Sequence, residues 1–357
     1  MERRRTRRVI VGNMAIGSDE PISIQSMTNT DTHDIEATYS QVMRLCEAGC
    51  DIVRITAPDL ESVKTFAALR QRGVTIPLVA DIHFNYKIAI ACAESGVDKI
   101  RINPGNIGDD EKVHLVTEAC RASRVPIRIG VNSGSLEASI LKKHGGPTAA
   151  ALAESALYHA SLLERFDFRD IIISVKASTP TEMIEANRIL AEKTDYPLHL
   201  GVTEAGGGES AIIKSSAAIG ALLSSGIGDT IRVSLTDTPE REVEVARQIL
   251  SVFGLSREKR MDIVSCPTCG RTRIDLISIH REFERRVKAE GLDRLPIKVA
   301  LMGCAVNGPG EAREADIGIA GGDGEGLVFK KGEIIKKVSE QTLVDSLIDE
   351  IKASFLS

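Results

Sequence analysis

One structural unit repeats eight times between residues 20 and 250: a short β-branched run, a polar loop with Gly, Asn or Asp, and a longer amphipathic stretch. The strand-like runs are PISIQSM from Pro21, DIVRIT from Asp51, PLVADIHF from Pro77, DKIRIN from Asp98, PIRIGVN from Pro126, DIIISVK from Asp170, PLHLGVT from Pro197 and DTIRVSL from Asp229. Eight such units over roughly 230 residues have the size of a (β/α)8 TIM barrel. A doubly wound sheet is the second possibility, because periodicity does not show whether a sheet closes.

The pattern changes after a charged stretch at residues 256–260, and the chain of 357 residues, 43% of them hydrophobic, is long enough for two domains. We therefore predict a barrel domain over residues 1–255 and a smaller α+β domain over 262–357. The elements expected in the smaller domain are a helix near 275–290, the strand PIKVALMG, strands near 316–320 and 326–337, and a final helix from about Glu340.

Charge and cysteine content exclude several classes of protein. A formal charge of -5 provides no overall positive field for nucleic acid or anionic lipid, and no apolar run is long enough for a membrane span.

The basic start of the chain reads as a short hairpin turning at Gly12-Asn13 and not as an export signal. Seven cysteines without such a signal indicate a reducing, cytoplasmic location, with thiols used as ligands or core residues.

Four of the eight predicted strands carry an arginine inside the apolar run, and a fifth ends in a lysine. They are Arg54, Arg101, Arg128, Arg232 and Lys176. A buried guanidinium without a partner costs several kcal/mol, so something must neutralise these groups. A ligand with several negative charges, such as a diphosphate, would accept their bidentate hydrogen bonds. In the alternative interpretation, each arginine pairs with a carboxylate inside the barrel or lies in water at a strand end.

Other polar residues follow the same strands, where this fold places its active site. They are Asp81, His83, Asn85, Asn103, Asn132 and Ser234. The loop VTEAGGGES puts Glu204 before three glycines, where a carboxylate could reach a bound substrate. Taken singly, His83 also fits a structural histidine, and Glu204 fits a solvated loop residue.

Three cysteines are grouped in the second domain: Cys266 and Cys269 in SCPTCGR, and Cys304 in GCAVNGPGE. A thioredoxin-like pair would leave Cys304 unexplained, and structural zinc would require a fourth cysteine or histidine near these loops. Three thiolates without an obvious fourth partner fit a 4Fe–4S cluster. Glu311, in the glycine-rich loop, is placed to supply the missing ligand, and a hard oxygen ligand would be displaceable by substrate.

These segments together give the chain a specific resemblance. PISIQSMTNTDT, VADIHFN, KIRINPGNIG, RIGVNSGSL, VTEAGGG, SCPTCGR and MGCAVNGPGEA resemble the bacterial 4-hydroxy-3-methylbut-2-enyl diphosphate synthase family of the non-mevalonate isoprenoid pathway. The similarity covers almost the whole chain, and MGCAVNGPGEA with CPTCGR is highly specific to it. QSMTNT by itself also resembles pterin-binding barrels.

The resemblance implies an oxidoreductase that opens the ring of 2-C-methyl-D-erythritol 2,4-cyclodiphosphate with two electrons from flavodoxin or ferredoxin and loss of water. It implies a cluster held by Cys266, Cys269, Cys304 and Glu311, and an acid-base role for Glu204. It also implies a homodimer. The positions that match the family's diphosphate site are Arg54, Arg101, Arg128, Lys176, Arg232 and Ser234, with His83, Asn103 and Asn132 nearby.

Two other functions remain open from the residues. The second domain could be a zinc-stabilised module that recruits a partner while the barrel is an inactive scaffold. QSMTNT and the strand-end Asp and Asn residues are also compatible with a pterin-dependent or methyl-transferring barrel enzyme, which would leave the strand arginines and the cysteines without a task.

Overall fold

Eight parallel strands form a closed barrel in the first of two units, which divide between Ser256 and Arg257. The computed structural model describes residues 2–304 and 313–356. The barrel strands are β3 (Ser23–Met27), β4 (Ile52–Thr56), β5 (Leu78–Asp81), β6 (Lys99–Ile102), β7 (Ile127–Asn132), β8 (Ile171–Lys176), β9 (His199–Leu200) and β10 (Thr230–Ile231). Their spatial order is β8-β7-β6-β5-β4-β3-β10-β9, and a parallel bridge from Ile173 to Leu198 closes the ring. The predicted TIM barrel is confirmed, and the doubly wound alternative is wrong.

Helices follow the strands in sequence, as the repeating unit predicts. The helices of the first unit are α1 (Ile35–Glu47), α2 (Val63–Gln71), α3 (Tyr86–Glu94), α4 (Pro104–Ile107), α5 (Asp110–Ser123), α6 (Ala138–His144), α7 (Ala149–Glu164), α8 (Pro180–Lys193), α9 (Gly208–Leu223) and α10 (Pro239–Val252). Their apolar faces pack on every second residue of the strands, including Val53, Ile100 and Ile129. The main hydrophobic core therefore lies between strands and helices, and the other face of each strand is left to line the barrel interior.

An N-terminal hairpin closes one end of this interior. Strands β1 (Val9–Val11) and β2 (Met14–Ile16) pair antiparallel across Gly12-Asn13, as predicted, and Gly12 takes the left-handed φ of +60° that the turn needs. The hairpin's apolar residues cluster with Ile52, Val79 and Ile172, which lie near the amino ends of their strands. Since this end is plugged by apolar packing, a ligand is expected at the opposite end, which we call the mouth.

Among its described residues, the second unit contains a five-stranded mixed sheet and two α-helices. Its strands are β11 (Asp262–Ser265), β12 (Lys298–Met302), β13 (Ile317–Gly321), β14 (Glu325–Lys330) and β15 (Glu333–Ser339), in that spatial order. The first three are parallel and the last two antiparallel. Helices α11 (Leu276–Ala289) and α12 (Leu343–Phe355) contribute to its hydrophobic core. The predicted α+β class is confirmed.

The second unit differs from the sequence-based expectation in two places. Strand β11, immediately before the cysteines, was not predicted, because its burial is only partial and its apolar run is short. The stretch expected near 326–337 is a hairpin and not one strand, since Lys331 and Gly332 both take positive φ and turn the chain.

Within the described residues, no helix combines the length and the apolar character needed to cross a bilayer.

Candidate active site

The strand register places the predicted basic residues side by side at the mouth. Asp81 on β5 pairs in register with Arg101 on β6, and Arg101 pairs with Arg128 on β7. Residues opposite each other on parallel strands point to the same face, so all three side chains enter the barrel interior. Asp81, Arg101 and Arg128 expose 1%, 7% and 1% of their surface. The strand arginines therefore lie inside a common enclosure, as the sequence suggested.

Asp81 is the carboxylate that holds two of these arginines. Its Oδ2 accepts from Arg54 Nη2 at 2.5 Å, and its Oδ1 from Arg101 Nη1 at 3.4 Å. Burial alone would raise the pKa of Asp81, but the guanidinium groups of Arg54 and Arg101 together hold the pKa well below its usual value. Asp81 is therefore ionised at neutral pH, and the carboxylate-pairing interpretation holds for Arg54 and in part for Arg101.

Arg101 and Arg128 also bind neutral groups on the neighbouring strands. Arg101 Nη2 donates to the carbonyl of Gly130 at 2.8 Å, and a Cβ at Gly130 would lie 2.1 Å from Arg101 Nε. Arg128 Nη1 donates to Ser174 Oγ at 2.6 Å, while its Nε and Nη2 have no partner among the described residues. Glycine at position 130 leaves the space that one guanidinium occupies, and the other guanidinium keeps unused donors.

Arg232 has a partner that the sequence did not reveal. Glu242 on α10 is 5% exposed, and its Oε1 lies 3.5 Å from Arg232 Nη2. The same carboxylate accepts from Ser26 Oγ at 3.0 Å and from the backbone N–H of Leu235 at 3.0 Å. A glutamate on the apolar side of a predicted amphipathic helix is the signal that could have identified it.

Positive charge exceeds negative charge in the barrel interior. Six basic side chains are present, and only two carboxylates, Asp81 and Glu242, form ion pairs with any of them among the described residues. The basic residues are Arg54, Lys99, Arg101, Arg128, Lys176 and Arg232. Burial and the repulsion of neighbouring arginines lower the pKa of Lys176 well below its usual value. This excess of cations leaves a polyanionic ligand as the missing counter-charge.

The other predicted mouth residues occupy different environments. Asn103 is 3% exposed and neither side-chain atom has a partner in the described structure, so its amide is free to bind a ligand. Asn132 ends β7 beside Lys176, which ends β8, and Ser234 is half-buried. Asn85 is instead the N-cap of α3, where its side chain accepts from the backbone N–H of Lys87 at 3.0 Å. The expectation that Asn85 lines the mouth is therefore not supported.

His83 and Glu204, two of the predicted site residues, lie on exposed segments after their strands. The His83 side chain is 51% exposed, with its Nε2 3.9 Å from Asp81 Oδ2, which is beyond hydrogen-bond distance. Glu204 is exposed and takes a left-handed φ of +54°, rare for a residue with a Cβ. The loop is held by a hydrogen bond from Thr236 N to Gly206 O at 2.9 Å. Such backbone strain is typical of functional loops.

The predicted cysteine ligands follow two adjacent parallel strands of the second unit. Cys266 comes directly after β11, and Cys304 follows β12 by two residues, so the two loops leave the same edge of the sheet. Gly303 N donates to Cys266 Sγ at 3.2 Å, and Arg273 N donates to Gly303 O at 2.9 Å. A Cβ at Gly303 would lie 2.8 Å from Thr272, so glycine allows the loops to approach.

The chemistry of these thiols suits an iron–sulfur cluster. An amide hydrogen bond to a cysteine sulfur, as at Cys266, tunes such clusters. The backbone N–H of Arg271 is the largest of several causes that lower the pKa of the Cys269 thiol, which favours the thiolate that binds metal. Glu311 lies outside the described residues. Among the described ones, no three His, Cys, Asp or Glu side chains are gathered closely enough to hold a metal ion.

Comparison with protein families gives two matches that together span most of the chain. Residues 6–247 match the GcpE TIM-barrel domain, and residues 262–353 match the GcpE protein C-terminal domain. A 4-hydroxy-3-methylbut-2-en-1-yl diphosphate synthase (flavodoxin) of Clostridium perfringens is 56% identical over 352 residues, covering 99% of both chains. The protein of that name from Caldanaerobacter subterraneus subsp. tengcongensis is 55% identical over 350 residues, covering 98% of this chain and 97% of its own.

Two similar solved structures cover about 70% of this chain. A type I 3-dehydroquinate dehydratase from Clostridium difficile has a TM-score of 0.51 at 14% identity, covering 70% of this chain and 98% of its own. The dihydropteroate synthase of Yersinia pestis has a TM-score of 0.50 at 13% identity, covering 69% of this chain and 98% of its own. At such identity the likeness concerns the fold, so the second structure does not favour the pterin-dependent alternative.

Proposed function

This chain belongs to the GcpE family, and on that premise we propose how its two units share the reaction. The chain is an iron–sulfur oxidoreductase of the non-mevalonate isoprenoid pathway, a 4-hydroxy-3-methylbut-2-enyl diphosphate synthase. The reaction takes 2-C-methyl-D-erythritol 2,4-cyclodiphosphate, two electrons and two protons to 4-hydroxy-3-methylbut-2-enyl diphosphate and water. We assign substrate binding to residues 1–255 and the cluster to residues 262–357. The family does not support the zinc-module or pterin alternatives.

The excess of buried positive charge is the observation that carries this assignment. A cyclic diphosphate has one negative charge on each phosphate group, and Arg101, Arg128 and Lys176 would donate hydrogen bonds to both phosphates. Arg54, Arg232 and Ser234 would complete the diphosphate site, with Asn103 and Asn132 binding the remaining oxygens. Asp81 would position Arg54 and Arg101. These side chains together would orient the carbon skeleton of the substrate before reaction, which lowers the entropic part of the activation free energy.

Glu204 would deliver the proton that converts the departing hydroxyl into water. Its exposed carboxyl is carried on a loop with a strained backbone, next to glycines that can yield to a substrate. General acid catalysis requires this group to come within hydrogen-bond distance of the leaving oxygen. His83, exposed beside Asp81, would donate a hydrogen bond to substrate oxygen as the second group with an exchangeable proton.

Cys266, Cys269, Cys304 and Glu311 would hold a 4Fe–4S cluster, which supplies single electrons and a Lewis-acidic iron when bound. Support in this chain comes from the amide hydrogen bond to Cys266 Sγ and the lowered pKa of Cys269. A cytoplasmic location is part of the proposal, since free thiols with these roles need a reducing compartment.

Flavodoxin is named as the electron donor of the matched relatives, and we propose flavodoxin or ferredoxin for this chain. Arg271, Arg273 and Arg281 are exposed around the cysteine loops, where they would attract an acidic electron carrier. Reduction by such a carrier should therefore slow as ionic strength rises, because salt screens exposed charges. A homodimer, which the resemblance implies, completes the proposal and is measurable by light scattering.

Anaerobic turnover of the cyclic diphosphate by the reconstituted protein, with reduced flavodoxin, tests the function. Formation of the linear diphosphate alcohol together with iron and acid-labile sulfide would support it. Zinc in place of iron, or no product from a brown, fully loaded protein, would overturn it. Glu204→Gln is the matched variant: it should keep the cluster's visible spectrum and substrate affinity while losing most of kcat.

A further inference from the structure

A lysine with no hydrogen-bond partner among the described residues lies inside the barrel below the arginines. Lys99 begins β6, two residues before Arg101, so both side chains point to the interior face of the strand. Lys99 is 0% exposed, and its Nζ has no hydrogen-bond partner among the described residues. Neither the proposed diphosphate site nor the cluster uses it.

The charges facing Lys99 are mostly of its own sign. Arg128 on β7 and Arg54 on β4 repel its ammonium, and Lys99 in turn disfavours the charged form of buried His199 on β9. Of the described groups that act on Lys99, only Asp98 attracts its charge, and the Asp98 carboxylate already accepts from Arg70 and from the backbone N–H of Leu78. Burial first, and then these arginines, hold the pKa of Lys99 well below its usual value.

Such a residue is unfavourable for the stability of the ligand-free barrel. A buried ammonium without a counter-charge is costly, and a lysine selected for packing could be replaced by an apolar residue of similar length. The cost is reduced when an anion enters the enclosure, because the Coulomb attraction acts over several ångströms in a medium of low dielectric constant.

We propose that Lys99 is a positioning residue for the diphosphate, neutral in the empty barrel and protonated when the dianion binds above it. This inference rests on the proposed function. The step is a transfer of one proton from solvent to the Lys99 amine, with no bond broken in the substrate. Lys99 then adds a full positive charge behind the arginines only when the ligand can balance it, so that substrate binding is coupled to proton uptake.

Lys99→Met tests the proposal because it should raise the unfolding temperature and lower the affinity for the cyclic diphosphate. The variant should unfold at a higher temperature than the wild type without ligand, because it removes an uncompensated buried amine. Its affinity for the cyclic diphosphate should fall by about tenfold, the scale of one charge at this depth. Lys99→Gln, neutral and polar, is the second variant and guards against a packing defect caused by Met. It should also bind the cyclic diphosphate more weakly than the wild type.

Calorimetry in two buffers of different ionisation enthalpy provides the readout that a structural role would not change. The wild type should take up protons at neutral pH on binding the cyclic diphosphate, and both Lys99 variants should take up fewer. His199→Asn is the matched control, because His199 is also buried and titratable. Its proton uptake should equal that of the wild type.

Three results would overturn the proposal: unchanged proton uptake in both Lys99 variants, uptake lost only in His199→Asn, or a lower unfolding temperature with unchanged affinity. If the wild type does not bind the cyclic diphosphate at all, the proposed function fails instead. In that case the unfolding temperatures still report separately whether the unpartnered Lys99 amine destabilises the empty barrel.

Discussion

The predicted site residues of the barrel and of the second unit both lie at the carboxyl ends of parallel strands, but their chemistry is opposite. In the barrel they are buried basic residues on the strands themselves, such as Arg101 and Arg128, which lie opposite each other on adjacent strands. In the second unit they are thiols in the loops that follow β11 and β12, where Cys269 is exposed. A rigid enclosure suits an anion whose charge must be matched, whereas loops suit an inorganic centre that orders its own ligands.

Removing a cysteine should give the sharpest separation between the two regions. We expect Cys304→Ala to abolish measurable turnover, because one of three thiolate ligands is lost, and to leave the affinity for the cyclic diphosphate unchanged. Iron and sulfide analysis with calorimetry would check both. Cys92→Ala is the matched control, since Cys92 is buried in the barrel's core, and it should keep its iron. A Cys304 variant with wild-type turnover would contradict the ligand assignment.

Neutralising the central carboxylate should destabilise the barrel unit. Asp81→Asn leaves Arg54 and Arg101 without their counter-charge, and removing one partner of a buried pair costs about 3–5 kcal/mol of unfolding free energy. Denaturant unfolding would measure it, with Asp110→Asn as an exposed control expected to change little. An Asp81 variant as stable as the wild type would show that the arginines do not need this anion.

The pH dependence of the same pair has a definite sign. Because the folded-state pKa of Asp81 is depressed, the carboxylate's contribution to stability is complete above its unfolded-state pKa of about 4. It is lost as pH falls from there through the folded-state pKa. The stability difference between wild type and Asp81→Asn should therefore be constant from neutral pH to about pH 4 and shrink below it. A difference that shrinks already between pH 7 and 5 would disprove this.

Shortening one arginine should affect substrate binding more than folding. Arg101→Ala removes donors to the diphosphate while Arg54 still neutralises Asp81, so we expect affinity to fall by about 1.5–3 kcal/mol, the scale of a hydrogen bond to a charged group. Arg165→Ala, at an exposed pair with Asp110, is the control. Equal affinities for wild type and Arg101→Ala would contradict the proposal that the buried arginines bind the diphosphate.

Two glycine variants give the smallest effects and compare the regions directly. Gly130→Ala would push Arg101 out of position, and Gly303→Ala would separate the cysteine loops at Thr272. Each added methyl group should lower the free energy of unfolding by about 1–3 kcal/mol, because it overpacks its surroundings. We expect Gly130→Ala to weaken diphosphate binding with normal iron content, and Gly303→Ala to lower iron content with normal binding. The reverse pattern, or equal effects of both variants on both measurements, would show that the regions do not act separately.

Strand positions and ligand types could be predicted because they are local properties. Short β-branched runs identified all eight barrel strands, and an arginine within such a run is visible without knowing its neighbours. The capping role of Asn85 could not be predicted in this way, since capping depends on where the helix begins relative to the strand end. Strand β11 was missed because its partial burial produces no periodic signal.

By itself, the sequence determined the repeating strand–helix units, the basic residues within them and the grouped cysteines, because these depend on residues close together in the chain. Tertiary structure alone decided which charges meet. Glu242 reaches Arg232 from a helix, and Asp81 lies between two arginines from neighbouring strands. Within the part of the chain that the structure describes, Lys99 has no hydrogen-bond partner. Ring closure and strand register set these distances, and electrostatic energy depends on distance and burial, neither of which can be read along a linear chain.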